Sequence, residues 1–140
     1  MEGSQRGFEH LEVWRRSVDL SVDLFKKLKG VRDRGFRDHI TRTAMSVPSN
    51  IAEGYERNTD KDSMRFYSIA KGSCGELRTQ VIIGIRAEYI DPETGKKWIH
   101  ETREISAMLV GLIKAKNEAT GRAKNEETGV RHQASGKAKE

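Results

Sequence analysis

Apolar residues return every three or four positions along most of this chain, and runs alternating apolar and polar residues in the manner of a strand are absent. Leu11, Trp14, Val18, Val22 and Phe25 fall on one side of a helix predicted from Phe8 or Glu9 to Lys29. Lys26, Lys27 and Lys29 complement its C-terminal dipole, and Gly30 suits the position just beyond its end. A second helix, from about Phe36 to Arg57, is marked by Phe36, Ile40, Ala44, Val47 and Ile51. Pro48 lies inside it. Lacking an N–H and pressing on the Ala44 carbonyl, it predicts a kink or a short break. Asn58 to Asp62 reads as a turn followed by an acidic first helical turn. The third helix then carries Phe66, Ala70, Ser73, Leu77, Val81 and Gly84 to about Tyr89. Asp91-Pro92-Glu93 places a capping residue before proline at the first position of a fourth helix. Its seam of Trp98, Thr102, Ile105, Leu109 and Leu112 ends near Lys116, with Gly95 expected to delay its regular start. Four helices joined by short loops predict an all-α fold, an antiparallel up-down-up-down four-helix bundle over residues 8–116.

The first helix has a second apolar stripe, Val13, Leu20, Leu24 and Val31, nearly opposite the first. A surface helix of a monomer needs only one apolar face. Two faces point to burial by the bundle on one side and by another subunit on the other, unless a wide core covers part of both. Val13, Leu20, Leu24 and Val31 are therefore the expected contact face of a homo-oligomer.

Beyond Lys116 the periodicity stops. From Asn117 to Glu140 there is no Leu, Ile, Met, Phe, Trp or Tyr, and five basic residues stand against four acidic ones. Such a segment buries too little apolar surface to offset its ordering entropy, so a disordered polar tail is expected over 117–140. Residues 1–7 are read as a flexible N-terminus. Within the tail, Asn117-Glu118-Ala119-Thr120-Gly121 recurs as Asn125-Glu126-Glu127-Thr128-Gly129, too short and polar to build a core.

Charge and chemistry narrow the function classes. The 140 residues are the size of one domain, and the net charge of +5 sits almost entirely on the bundle. No apolar run approaches the ~18–20 residues of a membrane span, and Met1 to Gly7 lacks the apolar core of a secretory signal. Cys74 is alone, which excludes a disulfide framework and a cysteine-based zinc site. A cytoplasmic protein without membrane contact is expected. His10, His39, His100 and His132 include no pair three or four residues apart, and no Glu-x-x-His pattern is present, so no metal or cofactor is expected. Gly72-Ser73-Cys74-Gly75 lies in mid-helix. It is read as close helix packing around a buried thiol rather than a phosphate loop or nucleophile elbow.

Two polar groupings remain. Ser46, Ser49, Asn50 and Glu53 share about 100° of the second helix. They can form a binding site, or they can satisfy the carbonyl freed by Pro48 and hydrogen-bond a neighbouring helix. With no nucleophile or metal ligand nearby, the structural role is preferred and no catalytic residue is assigned. Arg34, Arg37 and Arg42 crowd the beginning of the second helix, with Arg57 and Lys61 at its far end. On one subunit this surplus is modest. Repeated around an oligomer it becomes a field that attracts phosphate.

The residues also resemble a known family. The matching stretches are Leu11-Glu12-Val13-Trp14, the run from Ser46 to Gly54 (S-V-P-S-N-I-A-E-G), and Phe66 with Ile69 to Ser73, Glu76-Leu77 and Thr79-Gln80. In order and spacing they are similar to the four-helix-bundle proteins encoded in intervening sequences of bacterial 23S ribosomal RNA genes. Those proteins are related to the accessory variability determinant of diversity-generating retroelements. The resemblance covers roughly Phe8 to Lys114. It implies a bundle assembled as a ring, a pentamer, with no enzymatic activity. For the retroelement relatives it implies a nucleic-acid-binding surface and contact with a reverse transcriptase. The expected function is thus a non-catalytic, oligomeric accessory protein binding RNA or DNA through Arg34, Arg37, Arg42, Arg57 and Lys61. The alternative is a scaffold that docks a partner such as a reverse transcriptase without touching nucleic acid.

Overall fold

The computed structural model describes residues 7–127. The expected flexible segment before Gly7 and the part of the expected tail beyond residue 127 lie outside them. A single 3-10 turn, Phe8–His10, precedes four helices: α1 (Glu12–Lys27), α2 (Arg34–Tyr55), α3 (Asp60–Arg86) and α4 (Pro92–Glu127). α3 packs between α2 and α4, and α1 lies across from α3 against the other two. Successive helices run antiparallel, as the pairing of Lys116 with Asp60 at 3.3 Å and of Arg78 with Thr102 at 3.0 Å requires. The predicted all-α bundle is therefore the observed fold.

Side-chain caps start three of the helices, whereas α1 begins at Glu12, after the 3-10 turn and later than the expected Phe8 or Glu9, with no side-chain cap. Asp33 caps α2 by accepting from the Phe36 N–H at 3.0 Å, and Thr59 caps α3 by accepting from the Asp62 N–H at 3.1 Å. Asp91 accepts from the Thr94 N–H at 3.1 Å, with Pro92 at the first helical position. Gly95 does not delay α4. It sits in the first turn, where a Cβ would lie 2.4 Å from Ile85. α3 ends three residues before Tyr89, in a turn where the Tyr89 and Glu88 N–H groups bond back to Gly84 and Ile85 and Glu88 takes a φ of 65°.

Pro48 does not break α2, which runs through it. The Ala44 carbonyl that it deprives of a helical partner is instead bonded from outside. Ser21 on α1 donates to it at 3.0 Å, sharing its hydroxyl with the Ser17 carbonyl at 2.9 Å. Ser46, Ser49, Asn50 and Glu53 do not perform this task. Ser46 donates to the Thr43 carbonyl, Asn50 donates to the Ser46 carbonyl, both at 2.7 Å, and Glu53 pairs with Arg57. Those contacts stay on α2 or at its end, and Ser49 is exposed.

The stripe of α1 expected to meet another subunit is core, while Leu11 and Trp14 of the first stripe also pack against that core. Val13, Leu20 and Leu24 are 5%, 7% and 0% exposed, so they belong to the core and are unavailable to another subunit. Val31 is half-buried against the same core. Val18, Val22 and Phe25 face outward instead. The inner face is Val13, Ser17, Leu20, Ser21, Leu24 and Leu28, all buried, each with another three or four residues away. Counting the serines as polar hides it. Their hydroxyls are satisfied by the Trp14, Ser17 and Ala44 carbonyls, so they are buried without an unpaired donor.

Two further expectations change. α4 continues through Asn117 to Glu127, eleven residues past the expected end of the bundle. Apolar content sets burial, but alanine, lysine and glutamate propagate an existing helix at little cost, and proline is absent from this stretch. Lys116 and Thr120 contribute an ion pair to Asp60 and a bond to the Lys116 carbonyl. Gly72 and Gly75 are not close-packing sites, because a Cβ at either would meet nothing within 4 Å. Gly72→Ala is accordingly expected to raise stability by about 0.5–1 kcal/mol through helix propensity. Urea denaturation checks this, and a lowered midpoint would contradict the open space at that position. Cys74 between them is fully buried, as expected, and burial pushes its thiol up to about 11.

Candidate nucleic-acid interface

α1 is fastened to α4 by polar side chains that leave little for chemistry. Arg16 grips Glu101 through two bonds of 2.9 and 2.7 Å, which hold the carboxyl below its ordinary value. The Trp98 indole donates to Asp23 at 2.8 Å and, with Lys27, lowers that carboxyl too. Among the described residues, no group of three or more His, Cys, Asp or Glu could hold a metal ion. No helix among them is long and apolar enough to cross a membrane.

The five expected phosphate-binding residues are not brought together. Arg34 opens α2 and Arg57 follows its end, so roughly 35 Å of helix rise separates them. Arg37 is half-buried and holds the α1–α2 turn, donating to the Val31 carbonyl at 3.0 Å. Arg34 and Arg42 are exposed. Arg57 pairs with Glu53 at 3.3 Å and lies 4.5 Å above the Phe66 ring. The five therefore fall into separate groups, Arg34 and Arg37 on the first turn of α2, Arg42 further along it, and Arg57 with Lys61 about the start of α3.

There the structure adds residues that the linear pattern does not single out. A groove runs between α3 and α4 in two joined stretches of about 650 and 580 Å³. Ser68, Ile113 and Asn117 line both stretches. Lys61 and Arg65 border one end, Lys71 and Lys114 the other. Val110 and Ile113 form an apolar floor. Asp62 is the one acidic lining residue among those described, and Arg57 and Arg65 already engage it at 3.9 and 3.3 Å. Lys61, Arg65, Ser68 and Lys71 recur at three or four residues along α3. That spacing is legible in the sequence, but its partner strip on α4 is some forty residues away and meets it only through the fold.

A second surface is apolar. Val18, Val22 and Phe25 of α1 with Met45 and Pro48 of α2 line a depression of about 250 Å³. Val22, Phe25 and Met45 are 46%, 39% and 45% exposed.

The comparisons with known proteins agree with the bundle. The family model of the 23S rRNA-intervening sequence proteins matches residues 9–111. The chain belongs to that family. The matched span of this intervening-sequence protein takes in all of α1, α2 and α3 and most of α4, and stops before the helical extension described above. A solved structure from Bacteroides thetaiotaomicron, a protein of unknown function from the S23 ribosomal protein family, has the same fold, with a TM-score of 0.69 and 24% identity. The similarity covers 73% of the intervening-sequence protein and 98% of the other chain. Comparison with curated sequences gives no match.

Proposed function

We propose that this chain is a non-catalytic, oligomeric accessory protein that binds RNA or DNA through a basic surface. The observation that carries the reading is the α3–α4 groove, lined by Lys61, Arg65, Lys71 and Lys114, in which the one acidic lining residue among those described, Asp62, is already engaged. Phosphate contacts of this kind supply affinity without a base-reading motif. Titrating the protein with labelled RNA is expected to show binding at low salt that weakens steeply as ionic strength rises. Absence of binding at low salt, or an affinity indifferent to salt, overturns the reading.

Self-association is part of the proposal, because a ring multiplies a surplus that is small on one subunit. A closed ring needs two different complementary faces. The Val18, Val22, Phe25 and Met45 face is one, and exposed Ile69 and Ile83 on α3 lie on the helix across the bundle from α1. Val22→Glu with Phe25→Glu is expected to reduce the mass in light scattering to that of one chain while leaving helix content unchanged. Leu20→Glu or Leu24→Glu would unfold the chain instead, since both side chains are in its core. A parent chain that is already monomeric supports the alternative, in which this face docks a different protein such as a reverse transcriptase.

A further inference from the structure

We infer that the α3–α4 groove is a path for a single-stranded nucleic acid, with phosphates on its rims and unpaired bases or sugars on its floor. The inference rests on the nucleic-acid reading above and adds the form of the ligand and the place where it lies. Three observations carry it. The cations are ordered along a line, Lys61, Arg65 and Lys71 on α3 and Lys114 on α4, rather than gathered at a point. From Lys61 to Lys71 the helix rises about 15 Å, the reach of several nucleotides rather than of one phosphate ion. Between the rims the floor is apolar and accessible: Val110 is 49% exposed, and Ile113 is half-buried beside it.

That combination separates a single strand from a duplex. A duplex presents its charged backbone outward and keeps its base faces stacked inside, so an apolar floor gains nothing from it. An unpaired strand exposes base and sugar faces that need apolar or guanidinium partners, while its phosphates need cations a few ångströms to the side. Arg65, paired with Asp62 and lying 4.4 Å over the Phe66 ring beside Arg57, holds a guanidinium plane at the rim, while Lys61, Lys71 and Lys114 supply the charge for phosphates. Gly72 keeps the Lys71 end of the groove open, since no side chain projects there and nothing lies within 4 Å of its missing Cβ.

The test measures fluorescence anisotropy of the full chain with a labelled 15-nucleotide oligouridine and with an RNA duplex of the same length. The parent is expected to bind the single strand at least fivefold more tightly than the duplex. Lys71→Glu with Lys114→Glu should weaken single-strand binding at least tenfold and reduce the salt slope by about 0.7 for each phosphate no longer neutralised. Val110→Ser should weaken it about threefold without changing that slope, a result that charge alone would not give. Lys96→Glu with Lys97→Glu, the same charge change at the other end of α4, should leave the affinity within twofold. Equal losses from both lysine pairs, or a preference for the duplex, overturn the groove while nucleic-acid binding itself stands. Failure of the parent to bind either probe at low salt overturns both readings.

Discussion

Tyr67→Ala is expected to remove about 3–5 kcal/mol of stability, a large share of the roughly 5–15 kcal/mol available to a domain of this size. Tyr67 is 2% exposed and is the largest of the fully buried side chains. Its ring is seated against α2 because residue 54 has no side chain: a Cβ at Gly54 would come within 2.7 Å of the ring and 3.1 Å of the Ser63 carbonyl. The two positions should therefore be coupled. Gly54→Ala in the parent forces the ring to move, costing about 1–3 kcal/mol by overpacking against a propensity gain of at most ~1 kcal/mol. In the Tyr67→Ala background the clash with the ring is gone and only the Ser63 carbonyl contact remains, so the same substitution should cost markedly less. Urea midpoints of the four proteins at one protein concentration measure this, the fixed concentration removing any linkage to self-association. An equal effect of Gly54→Ala in both backgrounds would mean that the ring and the glycine do not constrain each other.

The second large effect concerns the carbonyl left open by Pro48. Ser21→Ala removes the hydroxyl that bonds to the Ala44 carbonyl, in a place where Ala44 is 1% exposed and water does not substitute readily. A buried acceptor left without a partner costs about 1–3 kcal/mol. Pro48→Ala restores an amide N–H to the helix at the fourth residue after Ala44, and the acceptor then has a partner without Ser21. The cost of Ser21→Ala should fall well below about 1 kcal/mol in that background. Thermal or urea unfolding of the double-mutant cycle checks it. A Ser21→Ala penalty that persists undiminished alongside Pro48→Ala would show that the hydroxyl stabilises through Ser17 or by packing, and not through the proline's carbonyl.

The position of Ser21 also explains where sequence reading fails on α1. Periodicity places two stripes on that helix but does not say which one faces inward. Val13, Leu20 and Leu24 lose the contest if serine is counted as polar, and win it once Ser17 and Ser21 are seen to be satisfied by backbone carbonyls. A side chain's polarity is fixed, whereas its cost of burial depends on a partner that another helix supplies. The glycines follow the same rule. Gly54 and Gly84 meet neighbouring rings and aliphatic side chains if given a Cβ, while Gly72 and Gly75, more conspicuous as a pair, meet nothing.

The proposed nucleic-acid site divides in a similar way. Arg34, Arg37 and Arg42 lie within nine residues of one another, yet Arg37 is committed to the α1–α2 turn and the others are far from Arg57 and Lys61. Lys114 is unremarkable in sequence. It becomes part of a basic groove because α4 runs antiparallel to α3, which puts it on the same depression as Lys71.

Local sequence is enough to specify the four helices, the Asn58–Asp62 turn and the Asp91 cap that start two of them, the family, and the all-α bundle. Those follow from interactions between residues a few positions apart, which a linear reading contains. It takes the folded chain to choose which face of α1 is core, what answers the Pro48 carbonyl, which glycines are tight, and where basic residues align. Each of those depends on a partner from another helix, and spacing along one helix carries no record of the atoms that pack against it.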